Sequence, residues 1–100
     1  MDAMERGPCV YILASGRNGT LYAGVTADLP RRIKQHRNRE ASRFAARYGV
    51  SRLVHVEFHA TMPEAIAREK QIKRWKRAWK LALIEQGNPT WRDLYADMLS

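Results

Sequence analysis

Three observations predict an α+β chain in which a small three-stranded sheet, antiparallel or mixed and opened by a hairpin, is flanked sandwich-fashion by helices. Two short runs rich in β-branched and aromatic residues bracket an Asn-Gly pair, a third run alternates apolar and polar residues, and the segments around them turn to helical periodicity. With 45% hydrophobic residues among 100, the length suits one domain over residues 1–100, its core running from about 8 to 95.

Cys9 to Ala14 (Cys-Val-Tyr-Ile-Leu-Ala) is the first predicted strand and Leu21 to Thr26 (Leu-Tyr-Ala-Gly-Val-Thr) the second. Asn18-Gly19 between them predicts a two-residue type I′ turn, because both residues tolerate positive φ. In that register Tyr11 faces Thr26, Tyr22 faces Ser15, and the two tyrosines share a face about 13 Å apart at roughly 3.3 Å per residue. Asp28 offers an N-cap, Pro30 is tolerated in the first turn, and Leu29, Ile33 and His36 follow at helical spacing, predicting a helix over 28–38. Ala41 to Tyr48 predicts a further helical turn or two before Gly49 stops it, and Arg52 to His59 alternates as the third strand. Met62 to Glu85 reads as a long helix, with an interruption expected near Trp75 to Arg77 because Lys76 falls on the apolar side. Gly87-Asn88-Pro89 ends it, and Trp91 to Leu99 reads as a closing helix.

Eighteen Lys+Arg against ten Asp+Glu give a net charge of +8, so a positive surface potential is unavoidable on so small a body. Nucleic acid is the expected partner, since each phosphate neutralised releases condensed counterions. A membrane is not: no apolar run approaches the roughly 20 residues that span a bilayer. The start, Met1-Asp2-Ala3-Met4-Glu5-Arg6, has no signal-peptide core, so the cytoplasm is the expected compartment. Cys9, the single cysteine, reads as a buried strand residue with no disulfide to make.

The most informative residue is Glu69. At about 100° per residue it falls among Met62, Ala65, Ile66, Ile72, Trp79 and Leu83, on the apolar stripe. A lone desolvated carboxylate is expensive, so Glu69 needs either a basic partner or a metal ion. Arg32 and His36, four residues apart, lie one above the other beside Leu29 and Ile33. A guanidinium forks onto phosphate oxygens and an imidazole shuttles a proton near neutral pH; the plainer reading is that Arg32 snorkels and His36 packs. Tyr11 and Tyr22, taken singly, read as ordinary half-buried strand tyrosines. Arg31, Lys34, Arg37 and Arg39, with Arg68, Lys70, Lys73, Arg74, Lys76, Arg77 and Lys80, are the candidate phosphate-tracking residues. Trp75 and Trp79 read as helix-packing residues rather than base-stacking platforms, and His55 and His59, on one strand face without an acidic companion, receive no role.

Taken in order, Val10-Tyr11, Tyr22-Ala23-Gly24 eleven residues on, Asp28-Leu29, Arg32 ten residues beyond Tyr22, and Glu69 within Arg68-Glu69-Lys70-Gln71-Ile72-Lys73 resemble the GIY-YIG nuclease superfamily over roughly residues 8–95. The chain is most similar to small stand-alone bacterial members, in which an Arg-Glu-Lys-Gln-Ile-Lys helix and an Asn-Pro-x-Trp ending, here Asn88-Pro89-Thr90-Trp91, accompany the tyrosines. It departs from them in reading Cys9-Val10-Tyr11 for Gly-Ile-Tyr and Tyr22-Ala23-Gly24 for Tyr-Ile-Gly, changes that keep both tyrosines and the last glycine. The resemblance implies that one of the two signature tyrosines, Tyr11 rather than Tyr22, helps activate the attacking water, that Arg32 grips the scissile phosphate, that His36 accepts a proton, and that Glu69 holds one divalent metal. It further implies that Gly24 lets strand and helix approach closely and that Asn88 stands near the site.

The expected activity is thus metal-dependent hydrolysis of phosphodiester bonds in nucleic acid, with DNA taken as the substrate. One carboxylate without a matching neighbour argues for one ion, Mg²⁺ or Mn²⁺, and one cysteine with three scattered histidines argues against zinc. The rival expectations are a non-catalytic nucleic-acid-binding module on the same scaffold, and a nuclease subunit that needs a protein partner for targeting.

Overall fold

The computed structural model describes residues 7–38 and 49–98. The helical turns expected over 41–48, together with Arg39 and Leu99, lie outside the described residues. The elements are β1 (Cys9–Ala14), β2 (Leu21–Thr26), α1 (Leu29–Arg37), β3 (Arg52–Phe58), α2 (Met62–Arg74), α3 (Arg77–Gly87) and α4 (Leu94–Met98). The strands form one sheet in the order β2-β1-β3, antiparallel at both seams. The expected α+β architecture is the observed one, and the sheet is antiparallel rather than mixed.

β1 is central and buried along its whole length, so its alternate side chains feed two cores. On one face Cys9, Tyr11 and Leu13 pack with Leu29 and Ile33 of α1, with Leu53, and with Leu94 and Tyr95 of α4. On the other, Val10, Ile12 and Ala14 pack with Ala65 and Ile72 of α2, Ile84 of α3, and Trp91. A bulge in β3 leaves Val54 as an extra residue between Leu53, opposite Leu13, and His55, opposite Ile12. Burial pushes the Cys9 thiol up to about 12, which leaves it an unreactive core residue.

Two expectations are corrected. The hairpin is not a two-residue turn: the last strand pair is Ala14 with Leu21, so Tyr11 pairs with Gly24 and Tyr22 with Leu13. Only Asn18 takes positive φ, at 57°, whereas a type I′ turn needs it at both central residues. The wider loop is tied by Ser15, whose N–H donates to Thr20 O (3.0 Å) and whose Oγ accepts from Thr20 N–H (2.9 Å). It is also held from outside by Arg77, whose Nη2 donates to Asn18 O and Gly19 O, each at 2.7 Å. Because the register shifts by two residues, both tyrosines keep their shared face while drawing closer along the ladder.

The second correction concerns Trp79 on the long helical run, which is interrupted where expected. The expected interruption is a full break: Trp75 and Lys76 adopt extended ψ values of 147° and 158°, dividing the run into α2 and α3. Lys76 thereby leaves the apolar side, and the change of direction brings Ile84 into the core while Trp79, assigned to the apolar stripe above, stands 53% exposed. Among the described residues, no helix is long and apolar enough to cross a membrane.

Candidate active site

The site begins with the Tyr11–Gly24 pair. A side chain on Gly24 would fall on the Tyr11 hydroxyl, with its Cβ 2.5 Å from Tyr11 Cζ, so the missing side chain makes room for the Tyr11 ring crossing β2. This differs from the expected role of Gly24 in strand-to-helix packing. Laid across Gly24, Tyr11 meets α1, where Asp28 accepts from Arg31 N–H as the N-cap and Leu29 and Ile33 anchor the buried face. That anchoring turns His36, on the same face, inward.

Tyr11 Oη and His36 Nε2 are hydrogen-bonded at 2.9 Å in a buried contact. The Tyr22 ring closes the group, 6.4 Å from the Tyr11 centroid and 5.1 Å from that of His36, against 5.7 Å between Tyr11 and His36. Burial foremost, then Tyr22, push the Tyr11 phenol above its ordinary value, while the nearby positive charge of Arg32 pulls the other way. Burial, seconded by the Arg32 charge, lowers the basicity of His36, which favours neutral imidazole. His36 Nδ1 is buried without a partner among the described residues, an orphan that a structural histidine would ordinarily satisfy. Arg32, whose charge acts on Tyr11, also lines a groove of about 380 Å³ with Thr26, Ala27, Asp28, Arg31 and Gln35.

Four of the five expected catalytic residues are therefore gathered: Tyr11, Tyr22, Arg32 and His36. Glu69 stands on α2, across the sheet, on a helix that also contacts edge strand β2. Of the two partners expected for it, the structure shows the basic one: Lys73 Nζ lies 2.9 Å from Glu69 Oε2, one turn on. Lys73 and Tyr22 in turn line one groove of about 330 Å³, with Ile12, Leu21, Ala23 and Lys80, so the two halves of the candidate site approach each other around β2.

Among the described residues, no group of three or more His, Cys, Asp or Glu is placed to hold a metal. Glu69 nevertheless keeps a cation on its carboxylate with a side chain only 13% exposed. One carboxylate and solvent fit a Mg²⁺ or Mn²⁺ ion that retains most of its waters, and do not fit zinc.

The other expected residues are placed as follows. Asn88 is buried; its Nδ2 donates to Val54 O (3.2 Å) and Arg92 O (2.8 Å), and its Oδ1 accepts from Arg92 N–H (3.2 Å). Its amide thus closes the Asn-Pro-x-Trp turn onto β3, and Trp91, held at φ 58°, plugs the second core. Arg31, Lys34, Lys70 and Arg74 are partly or fully exposed and make no ion pair among the described residues, whereas Arg77 is committed to the hairpin loop. Arg37 pairs with Asp93 and lies 4.8 Å from the Tyr95 ring centroid, fastening α1 to α4.

Sequence reasoning missed one cluster. His55 and His59 do have an acidic companion, Glu57, two residues from each on the same strand face. Its Oε2 is 2.8 Å from His55 Nε2, and Oε1 lies 3.5 Å from His59 Nε2. Arg68 of α2 grips both carboxylate oxygens, Nε donating at 2.9 Å and Nη2 at 3.1 Å. His55 first and Arg68 with it outweigh burial and hold the Glu57 carboxyl at about 2. The i, i+2 spacing around Glu57 was the available signal. Arg68 precedes Glu69 directly, so this clamp sets the roll of the helix that carries Glu69.

Residues 7–82 match the family model described as the GIY-YIG catalytic domain. A UPF0213 protein of Syntrophus aciditrophicus is 39% identical over 84 residues, covering 80% of this chain and 91% of its own length. One of Staphylococcus saprophyticus is 35% identical over 78 residues, covering 78% and 94%. The solution NMR structure of a UPF0213 protein from Bacillus halodurans superposes with a TM-score of 0.55 at 29% identity, covering 87% of this chain and 92% of that one. The gathered tyrosines, arginine and histidine thus stand on a scaffold shared in sequence and in shape, and the chain belongs to the GIY-YIG family.

Proposed function

We propose that this protein is a metal-dependent endonuclease that hydrolyses phosphodiester bonds of nucleic acid, DNA in the first instance. The observation that carries the reading is the buried Tyr11–His36 contact beside Arg32, with the second ring nitrogen of His36 unpartnered among the described residues. A phosphate in the groove formed by Thr26, Asp28, Arg31 and Gln35 meets Arg32, whose charge is permanent and offsets the negative charge that grows on the phosphoryl oxygens. Tyr11 relays the proton: it accepts one from the attacking water as it passes its own to neutral His36 at Nε2, so no free phenolate has to form against the burial that raises the phenol. Tyr11 itself is fully enclosed, so the water enters where half-buried Tyr22 and Arg32 reach the surface. A divalent cation on Glu69, when bound, supplies Lewis acidity for the leaving oxygen.

A second reading, a nucleic-acid-binding module without turnover, is favoured by one pair of facts: Tyr11 is enclosed and Glu69 already carries Lys73. End-labelled duplex, single-stranded, flap and four-way-branched DNA, with matching RNA strands, incubated in Mg²⁺, Mn²⁺ or EDTA, separates the two. Cutting that requires the metal supports the nuclease and names its substrate shape. Binding across the panel without any cutting supports the module, or a nuclease that requires a protein partner.

A further inference from the structure

We propose that Lys73 is an exchangeable counterion, seated on Glu69 in the metal-free protein and transferred to a nucleic-acid phosphate when a divalent cation takes the carboxylate, so that cation loading and nucleic-acid binding reinforce each other. The proposal rests on the reading of Glu69 as the metal-binding carboxylate. The two partners differ in freedom: the Glu69 side chain is 13% exposed and held within α2, whereas that of Lys73 is 52% exposed. The lysine is therefore the member that leaves. An ammonium 2.9 Å from Oε2 and a Mg²⁺ ion at about 2.0–2.1 Å from the same oxygen, with its water shell, exclude each other by volume and by charge. An i, i+4 pair of this exposure contributes little to stability, so releasing it costs little.

The lysine has a place to go. It lines the groove of about 330 Å³ that runs past Tyr22 and Ala23, with Lys80 on the same wall, so an ammonium freed from Glu69 adds a second positive charge beside the candidate site. Three neighbouring cations are engaged elsewhere, unlike Lys70 and Arg74, which make no ion pair among the described residues. Arg68 is forked onto Glu57, Arg77 holds the hairpin carbonyls, and the Lys76 ammonium lies 5.3 Å from the Trp79 ring centroid. Lys73 is the cation whose partner is the proposed metal carboxylate itself. Its flexible stem and rotatable donors suit such an exchange, as a planar guanidinium would not.

The test is a double-mutant cycle read by binding. In a Tyr11→Phe background, to keep the strand intact, anisotropy of a fluorescein-labelled DNA oligonucleotide is measured for the parent, Glu69→Gln, Lys73→Gln and the double variant, in EDTA and in Mn²⁺. Mn²⁺ affinity is followed separately by electron paramagnetic resonance of the free ion. In EDTA, Glu69→Gln releases the lysine and should tighten DNA binding roughly fivefold, steepening the salt slope by about 0.7–0.9. Lys73→Gln should cancel that gain, and alone, with the Glu69 carboxylate left unpaired, should not tighten DNA binding in EDTA. In Mn²⁺ the parent should gain a similar factor, Lys73→Gln should not, and Lys73→Gln should bind Mn²⁺ more tightly. A Glu69→Gln gain that survives Lys73→Gln, or a Lys73→Gln loss equal in EDTA and Mn²⁺, would overturn the exchange. Mn²⁺ binding unchanged by Glu69→Gln would overturn the metal reading, and the coupling with it; that outcome is recognisable because the EDTA arm is read without metal.

Discussion

Gly24 shows how much of the candidate site depends on single atoms. With no Cβ there, the Tyr11 ring lies across β2 and reaches His36; Gly24→Ala should push that ring aside. We expect a stability loss of about 1–3 kcal/mol by urea denaturation and a larger proportional loss of cleavage than of DNA binding. His36 gives a pH prediction. Its lowered basicity keeps the imidazole neutral below the ordinary value of 6.5, so the acid limb of the pH–rate profile should lie below 6.5 and vanish in His36→Gln. The same depression means that the unfolded chain takes the proton first, so this group costs stability as pH falls through 6.5 and leaves it untouched above. Arg32 and His36 were legible from their helical spacing, and both tyrosines from the alternation of their strands. The contact of Tyr11 with Gly24 was not, because it depends on a register that Asn18-Gly19 alone does not determine.

Elements place these residues, and their joints are ion pairs and caps as much as apolar faces. Glu57 is held at about 2, well below its ordinary value of 4.5, by His55 and Arg68. A carboxylate so depressed stabilises the fold above the ordinary glutamate range and loses that contribution as pH falls toward 2. Glu57→Gln should therefore cost on the order of 2 kcal/mol at pH 7, with the gap to wild type closing toward pH 3 in urea denaturation. Arg77→Met should loosen the β1–β2 loop, seen as faster amide exchange over residues 16–20, at a cost of about 1 kcal/mol. Strand and helix positions were readable because their apolar periods are regular. The break at Trp75 and Lys76 was readable only as a misplaced lysine, and the tether from Arg77 to the loop not at all, since it joins residues 58 and 59 positions apart.

At the scale of the molecule, a net charge of +8 is distributed between structure and surface. Arg37, Arg68 and Arg77 are spent on joints, whereas Arg31, Lys34, Lys70 and Arg74 are exposed and make no ion pair among the described residues, so they are open to phosphate. Nucleic-acid binding should weaken steeply with salt, and Lys70→Glu with Arg74→Glu should flatten that slope; a salt-independent affinity would exclude this face as the docking surface. Composition announced a polyanion partner, but which cations remain available became visible only once their partners across the fold were known. The central claim is that Tyr11, backed by His36 and Arg32, performs chemistry rather than packing. It is tested most directly by comparing single-turnover cleavage and DNA affinity of wild type and Tyr11→Phe in Mg²⁺. A loss of at least about 100-fold in cleavage at unchanged affinity is the predicted result. Equal cleavage by the two proteins, or no metal-dependent cleavage by either, would contradict it.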